Sequence, residues 1–195
     1  MKYKYILGID PSGAFNEGKG TTGYSVYFAP EHKFTMTGTI VASGHIAAEA
    51  YWHKHIEFLN NFIFSARGKR KHRENQVILV IEDYLLYANK AESQIYSRME
   101  TSKLIGIIQH WCWINDIPYC MQPAAQVKQR WADPILEHKG YIKKKGGRYD
   151  VCEHTRDSMR HAIHYATFKN GDDDDFEKLI QENTHLKYRI TIKKN

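Results

Sequence analysis

Residues 77–81 (VILVI) form an uninterrupted apolar run, and this run constrains the fold more than any other segment. A strand that is apolar at every position is typical of the centre of a sheet covered on both faces. Residues 3–10 are also rich in aromatic and β-branched side chains, and they lead into the turn-forming sequence Asp10-Pro11-Ser12-Gly13. The chain is therefore predicted to build a sheet with two buried strands that need helices on both sides.

The other segments complete this sheet. Residues 23–28 and 34–42 have strand-like composition and are joined by a turn at 29–32, which predicts an antiparallel meander with the first strand. The remaining predicted elements are a helix at 47–66, a helix at 93–114, a strand at 117–121, a helix that begins at Pro123 and a helix at 151–168. This order predicts an α/β fold whose mixed five-stranded sheet combines a three-strand antiparallel meander with parallel strands, with helices on both faces.

The composition indicates a single domain with a basic surface. A chain of 195 residues with 42% hydrophobic residues can bury one core but is short for two large domains. Its formal net charge of +6 favours nucleic acid as a partner, because each Lys or Arg placed on a phosphate releases condensed counterions. An ordinary basic protein has a similar charge, so net charge alone leaves both interpretations open.

The cysteines and the hydropathy indicate a cytoplasmic protein. Cys112, Cys120 and Cys152 are widely spaced and include no CxxC pair, so neither a disulfide framework nor a cysteine zinc site is predicted. No stretch approaches the ~18 apolar residues that a membrane helix needs. We therefore expect no association with a membrane.

Acidic residues stand at the ends of two predicted strands. Asp10 ends the first strand and Glu82 follows the apolar run, so neighbouring parallel strands would bring both carboxylates to one edge of the sheet. His154 and Asp157 are three residues apart and share one face of the last predicted helix. Such ligands suit Mg²⁺ or Mn²⁺, and two such ions can activate water for hydrolysis of a phosphodiester. Strand-end acids also commonly form turns, and helical pairs of this kind commonly lie on the surface.

The pattern leaves the roles of neighbouring side chains open. His154 can ligate a metal or act as a general base. His161 continues the helical face of Asp157, which predicts either a packing role or an orienting contact with Asp157. Asp83 is predicted to point to the side of the strand opposite Glu82.

Four short motifs occur in an order that resembles a known family. The chain has GIDPS at residues 8–12, TTGY at 21–24, IEDY at 81–84 and HTRD at 154–157. These motifs resemble those of the RuvC-like Holliday junction resolvases of the RNase H-like superfamily, in particular phage-encoded members. The resemblance spans residues 6–169, and its matching residues are Asp10-Pro11-Ser12, Thr22-Gly23, Glu82 with Asn89, the Pro-x-x-Val-Lys-like segment 123–128, and His154 with Asp157.

The resemblance implies a nuclease with a defined set of site residues. It implies an RNase H-like fold, a homodimer that holds a four-way DNA junction, and two Mg²⁺ ions per site, with Mn²⁺ as a substitute, that cut two strands. Under this resemblance, Asp10, Glu82, His154 and Asp157 are the catalytic and metal-binding set. Lys128 matches a family lysine near the scissile phosphate, although the segment from Pro123 is one residue longer than in the family.

The resemblance and the charge pattern also suggest DNA contacts. Cellular family members place an aromatic wedge about three residues after the Glu, and this chain has Leu85 there, beside Tyr84. The glycine-rich loop around Lys19 is longer than in cellular members and could bring backbone N–H groups to a phosphate. The predicted DNA-binding residues are Lys19, Tyr84, Leu85, Lys128, Lys143, Lys144 and Lys145.

We therefore expect a nuclease domain at residues 1–170, followed by a tail or appended edge element at 171–195. The expected function is metal-dependent resolution of Holliday junctions and other branched DNA, such as three-way junctions and flaps, in the bacterial host cytoplasm if the chain is phage-encoded. Two alternatives remain open at this point. One is a noncatalytic branched-DNA-binding protein, and the other is a phosphotransferase of the actin and sugar-kinase superfamily, which needs two domains around a cleft.

Overall fold

A mixed sheet of five strands forms the centre of the structure. The computed structural model describes residues 2–13, 20–42, 47–64, 76–84 and 99–171, without the side chain of Gln126. The strands are β1 (Tyr5–Asp10), β2 (Thr21–Phe28), β3 (Lys33–Val41), β4 (Val77–Asp83) and β5 (Tyr119–Pro123). They lie in the order β3-β2-β1-β4-β5, with β1 to β3 antiparallel and with β4 parallel to both β1 and β5. This arrangement confirms the predicted mixed sheet.

Helices cover both faces of this sheet. They are α1 (Ala48–Phe64), α2 (Glu100–Ile114), α3 (Ala124–Arg130), α4 (Asp133–His138) and α5 (Glu153–Lys169), with a short 3-10 helix at Ala29–Glu31. A small antiparallel hairpin, β6 (Lys144–Lys145) and β7 (Arg148–Tyr149), lies between α4 and α5. None of the helices in the described ranges has the length and apolar character to span a bilayer.

Alternating residues of β1 and β4 build two separate halves of the core. Ile6 and Val80 pack with the apolar residues of α3, α4 and α5 on one face. Leu7 and Leu79 pack with those of α1 and α2 on the other face. Because strand side chains alternate, Asp10 and Glu82 emerge on the α5 side of the sheet and Asp83 on the opposite side.

Two glycines allow α5 to lie directly on the strands that position Asp10. A Cβ at Gly8 would lie 2.1 Å from the carbonyl oxygen of Ser158, and a Cβ at Gly23 would lie 2.1 Å from that of His154. Any side chain at either position would therefore push the helix away. Glycine at these positions lets α5 approach the strands closely, with His154 at its first turn.

Several element boundaries differ from the predicted ones. The segment 143–148, predicted as a loop, contains the β6–β7 hairpin, because Gly146 and Gly147 take positive φ angles of 58° and 82° and make a tight turn. The helix predicted at 93–114 is described from Glu100 onward, since residues 85–98 lie outside the described ranges. Most of the predicted tail, residues 172–195, also lies outside them.

Candidate active site

Three carboxylates converge at the edge of the sheet where β1 and β4 end. Asp10 is the last residue of β1, and the pairing of Ile9 with Ile81 places Glu82 at the same level on β4. Asp157 reaches this edge from the second turn of α5. One carboxylate oxygen from each of the three acids lies within 4.8 Å of the others. The predicted convergence of Asp10, Glu82 and Asp157 is thus present in the fold.

Each of these acids has one oxygen held by a side chain of α5. His154 Nδ1 lies 2.7 Å from Asp10 Oδ2, and His161 Nε2 lies 3.0 Å from Glu82 Oε2. Arg160 Nη1 donates a hydrogen bond to Asp157 Oδ1. The three donors lie along one side of α5, so the spacing of residues on this helix places one donor beside each of the three acids.

Lys128 of α3 approaches the other oxygens of two of these acids. Its Nζ lies 2.7 Å from Asp157 Oδ2 and 3.7 Å from Glu82 Oε1. Burial opposes the charged form of Lys128, but the hydrogen bond with Asp157 and the negative charges of Glu82 and Asp10 outweigh it and raise the pKa of the ammonium. The resemblance placed Lys128 at the site, and the fold brings it there.

The surroundings also shift the protonation of Asp10 and His154. Burial raises the pKa of the Asp10 carboxyl, and the neighbouring charge of Glu82 raises it further, against the hydrogen bond from His154. The same hydrogen bond raises the pKa of His154 against its own desolvation. Negative charges that lie close together with little solvent are stabilised when the acids bind protons or a cation. Such a cluster of acids is therefore typical of a metal site.

A second layer of ion pairs supports Asp157. Arg160 bridges Asp157 and Asp133, and its Nε donates to the carbonyl oxygen of Trp131 at 2.8 Å. Arg156 also donates to Asp133, at 3.0 Å, and its guanidinium stacks 4.9 Å from the ring centre of Tyr149 in the β6–β7 hairpin. The hairpin is thereby attached to the helix that carries Asp157.

The turn that follows Asp10 is fixed by a buried polar network. Thr22 Oγ1 accepts a hydrogen bond from the Ser12 N–H at 3.1 Å, and Tyr51 Oη donates to the Ser12 carbonyl oxygen at 2.9 Å. His55 Nδ1 donates to the Tyr51 carbonyl oxygen at 2.9 Å, because a carbonyl oxygen only accepts. Desolvation lowers the pKa of His55 to about 4, so its neutral Nε2 accepts from Thr22 Oγ1 at 2.8 Å.

The overall arrangement matches solved structures of RuvC. RuvC from Thermus thermophilus in complex with a Holliday junction substrate matches with a TM-score of 0.59 and 15% identity, over 84% of this chain and 93% of that chain. A second structure of Thermus thermophilus RuvC matches with a TM-score of 0.58 and 16% identity, over 83% and 93%. The chain has the RuvC fold.

Other comparisons add little to this result. The Holliday junction resolvase of fowlpox virus matches with a TM-score of 0.40 and 9% identity, over 83% of this chain and 96% of that chain. No protein-family model matches the sequence, and no curated protein matches it. At this identity the match to RuvC concerns the fold, and the site residues rest on their own geometry.

Within the RuvC fold, His154 stands beside the three carboxylates. Its contact with Asp10 occupies Nδ1, which leaves Nε2 for coordination or for accepting a proton. Its side chain is 44% exposed, whereas that of Asp157 is 4% exposed. Whether His154 ligates a metal, as the resemblance implies, stays a prediction.

Apart from Lys128, which lies at the carboxylate cluster, the predicted DNA contacts fall into three groups. Lys143, Lys144 and Lys145 are exposed at the β6–β7 hairpin. Tyr84 is partly buried and packs against the core on the α1 and α2 side. Lys19 and Leu85, together with the matched Asn89, lie outside the described residues.

Sequence reasoning missed several residues of the site. Arg160, Asp133 and Gln122 were not predicted, and His161 contacts Glu82 where an orienting contact with Asp157 was one expectation. The α5 spacing could have suggested Arg160, which lies three residues after Asp157 on the same face. The partners of His161 come from β4 and β5, and their positions depend on strand order, which periodicity does not encode.

Proposed function

We propose that this protein is a divalent-metal-dependent endonuclease that cuts four-way junctions and related branched DNA. The observation that carries the proposal is the convergence of Asp10, Glu82 and Asp157, from three separate elements, at one edge of a RuvC fold. The net charge of +6 and the exposed lysines of the hairpin favour a polyanionic substrate.

The donor set fits a hard divalent cation. Carboxylate oxygens are the ligands that Mg²⁺ and Mn²⁺ prefer, and burial of acids that carry like charges is costly without a cation. Asp10, Glu82 and Asp157 would hold the cation, with His154 Nε2 as a further candidate ligand. When bound, such a cation supplies Lewis-acid polarisation of the scissile phosphate and lowers the pKa of a bound water.

The chain's own residues supply the rest of the chemistry. Asp10 accepts the Nδ1 hydrogen bond of His154 and orients the ring. As the alternative to ligating the cation, Nε2 of His154 can accept a proton from an attacking water. Lys128 presents an ammonium beside the cluster, where it can stabilise the negative charge that develops on a phosphate. His161 and Arg160 hold the outer oxygens of Glu82 and Asp157.

The proposed substrate implies a second copy of the chain. Symmetrical resolution of a four-way junction requires two cuts, and a homodimer would supply two active sites related by a two-fold axis. The lysines of each hairpin would contact phosphates beside the site, which fixes the position of the duplex but reads no sequence.

Cleavage of synthetic DNA tests this proposal. Purified protein with Mg²⁺ or Mn²⁺ is expected to cut a four-way junction in preference to the matched linear duplex. Asp10→Asn is expected to bind the junction without cutting it. Asp116→Asn serves as the matched control, because Asp116 lies in the turn after α2 with a φ of 53°, a conformation that Asn tolerates well.

Three results would contradict the proposal. Junction binding without any cutting by the wild-type protein would favour a noncatalytic junction-binding protein. Turnover of ATP without nicking would favour a phosphotransferase. Cutting that is equally fast on linear duplex and on three-way, flap and four-way substrates would contradict the selectivity for branched DNA.

A further inference from the structure

Glu82 is in hydrogen-bond contact with a buried histidine that is not among the predicted metal ligands. His161 is fully buried, and its Nε2 lies 3.0 Å from Glu82 Oε2. Its Nδ1 lies 3.0 Å from Oε1 of Gln122, a residue of β5 that is 3% exposed. The imidazole therefore links three elements, α5, β4 and β5, behind one carboxylate.

The direction of the hydrogen bond to Glu82 follows from its acceptor. A carboxylate only accepts, so Nε2 of His161 carries the hydrogen and donates it to Glu82. Two arrangements then suit Nδ1. Either it donates to Gln122 Oε1 while Gln122 Nε2 has no partner within the described part of the chain, or the amide is turned and Gln122 donates to Nδ1. Both arrangements leave the same bond to Glu82.

We propose that His161, held by Gln122, is a positioning residue that fixes the Glu82 carboxylate so that Oε1 faces the cation. This inference rests on the proposed function. Glu82 is the most exposed of the three acids, with 16% of its side chain accessible, against 10% for Asp10 and 4% for Asp157. A glutamate also has one more rotatable bond than an aspartate, so Glu82 loses the most freedom when it is held.

Hydrogen bonds of this kind tune a metal site without contacting the ion. Their loss typically weakens metal affinity about 10- to 100-fold, because the ligand must then be ordered when the metal binds. The contact from His161 approaches the oxygen of Glu82 that faces away from Lys128, since Lys128 lies nearer Oε1. The contacts from His161 and Lys128 together fix the orientation of the Glu82 carboxylate, and Oε1 is then the oxygen that faces the carboxylate cluster.

Two amide substitutions separate this role from simple packing. His161→Gln can place an amide N–H near the position of Nε2 and keep the bond to Glu82, whereas His161→Asn reaches only the position of Nδ1 beside Gln122. Mn²⁺ affinity is measured without DNA, by calorimetry or from the electron paramagnetic resonance signal of free Mn²⁺. We expect His161→Asn to weaken Mn²⁺ binding about 10- to 100-fold and His161→Gln to stay within about threefold of wild type.

A control and a second variant complete the design. His164→Asn changes a histidine on the same helix, one turn further on, whose Nδ1 has no hydrogen-bond partner among the described residues, and it should leave Mn²⁺ binding unchanged. Gln122→Met removes the support behind His161 and should also weaken binding, which tests the inference even if His161→Asn does not fold. For the weakened variants, higher Mn²⁺ concentration should restore cutting.

The outcomes distinguish this inference from the proposed function. A wild-type protein that binds Mn²⁺ and cuts junctions, together with full Mn²⁺ affinity in both His161→Asn and Gln122→Met, would overturn the positioning role alone. Equal weakening by His161→Gln and His161→Asn would also overturn it, because the bond to Glu82 would then be irrelevant. A wild-type protein that binds no Mn²⁺ would overturn both proposals.

Discussion

Lys128 places its Nζ 2.7 Å from Asp157 Oδ2, so a fixed positive charge lies among the acids proposed to bind a cation. The ammonium is also 3.7 Å from Glu82 Oε1. Without a metal, this charge partly offsets the mutual repulsion of the carboxylates. A divalent cation at the same centre would repel it and leave it free to contact a phosphate.

Replacement of Lys128 should therefore have opposite effects on metal binding and on cutting. Lys128→Met leaves the acids more negative, so Mn²⁺ should bind several-fold more tightly in the absence of DNA. Cutting should fall on the order of 10²-fold, because a charge that stabilises the transition state is lost. Calorimetry and single-turnover cleavage measure the two quantities, with Lys103→Met on α2 as control. Weaker Mn²⁺ binding together with unchanged cutting would show that Lys128 has neither role.

Because α5 lies in close contact with β2, a single methyl group added at Gly23 should strongly reduce the stability of the fold. Gly23→Ala would place a Cβ 2.1 Å from the carbonyl oxygen of His154, and both atoms belong to packed elements. We expect a loss of about 2 kcal/mol or more in the free energy of unfolding, because the helix must move away from the strand. Cutting should fall as well, since the same shift separates His154 from Asp10.

Gly106→Ala provides the matched control for this substitution. Gly106 lies in α2, and a Cβ there would meet no atom of the described residues within 4 Å, apart from the backbone of its own helix. Alanine is the better helix former by up to about 1 kcal/mol, so this variant should be as stable as wild type or more stable. Urea unfolding of both variants tests the contrast. If Gly23→Ala were as stable as Gly106→Ala, this result would contradict the close packing of α5 on β2.

The lysines of the β6–β7 hairpin should contribute to DNA affinity through salt-dependent contacts. The double variant Lys144→Ala, Lys145→Ala should weaken junction binding and reduce the slope of log K against log salt by up to about 1.8, if each lysine neutralises one phosphate. Lys4→Ala is the control, because Lys4 precedes β1 at the end of the strand opposite Asp10. An unchanged salt slope in the double variant would exclude phosphate contacts by this hairpin.

His55 predicts a pH dependence of stability. Its pKa in the folded protein is lowered to about 4 from 6.5 by burial, so the unfolded chain binds more protons between these values. Stability should therefore fall as the pH drops from about 6.5 towards 4. At pH 4.5 this histidine alone should cost about 2 to 3 kcal/mol relative to neutral pH.

Comparison with a variant isolates that contribution from the other titrating groups. His55→Gln keeps an acceptor near Thr22 but has no ionisable ring. Urea unfolding at pH 7.5 and pH 4.5 should show a smaller loss of stability for this variant than for wild type. Equal losses would mean that His55 is not held neutral in the folded state.

The fold could be predicted largely from local patterns. The apolar run at 77–81 predicted a strand covered on both faces, and β4 is the strand between β1 and β5. The helical period after residue 151 predicted α5 to within about two residues at its start. The β6–β7 hairpin was missed, because two positively charged two-residue strands have no periodicity and their pairing depends on the turn at Gly146 and Gly147.

The sequence by itself determined which side chains are available at the site. Strand endings and helical spacing indicated Asp10, Glu82 and the pair His154 and Asp157, because both features are set by residues near one another in the chain. The family resemblance added Lys128. Their roles as ligands and catalytic groups remain predictions until metal binding and cutting are measured.

Only the tertiary structure decided which side chains meet. The placement of β5 beside β4 brings Gln122 to His161, and the lack of a side chain at Gly23 lets α5 approach closely enough for His154 to reach Asp10. Such contacts join residues that are 39 and 144 positions apart. Strand order and the distance between packed layers fix them, and both are properties of the whole core that no local pattern contains.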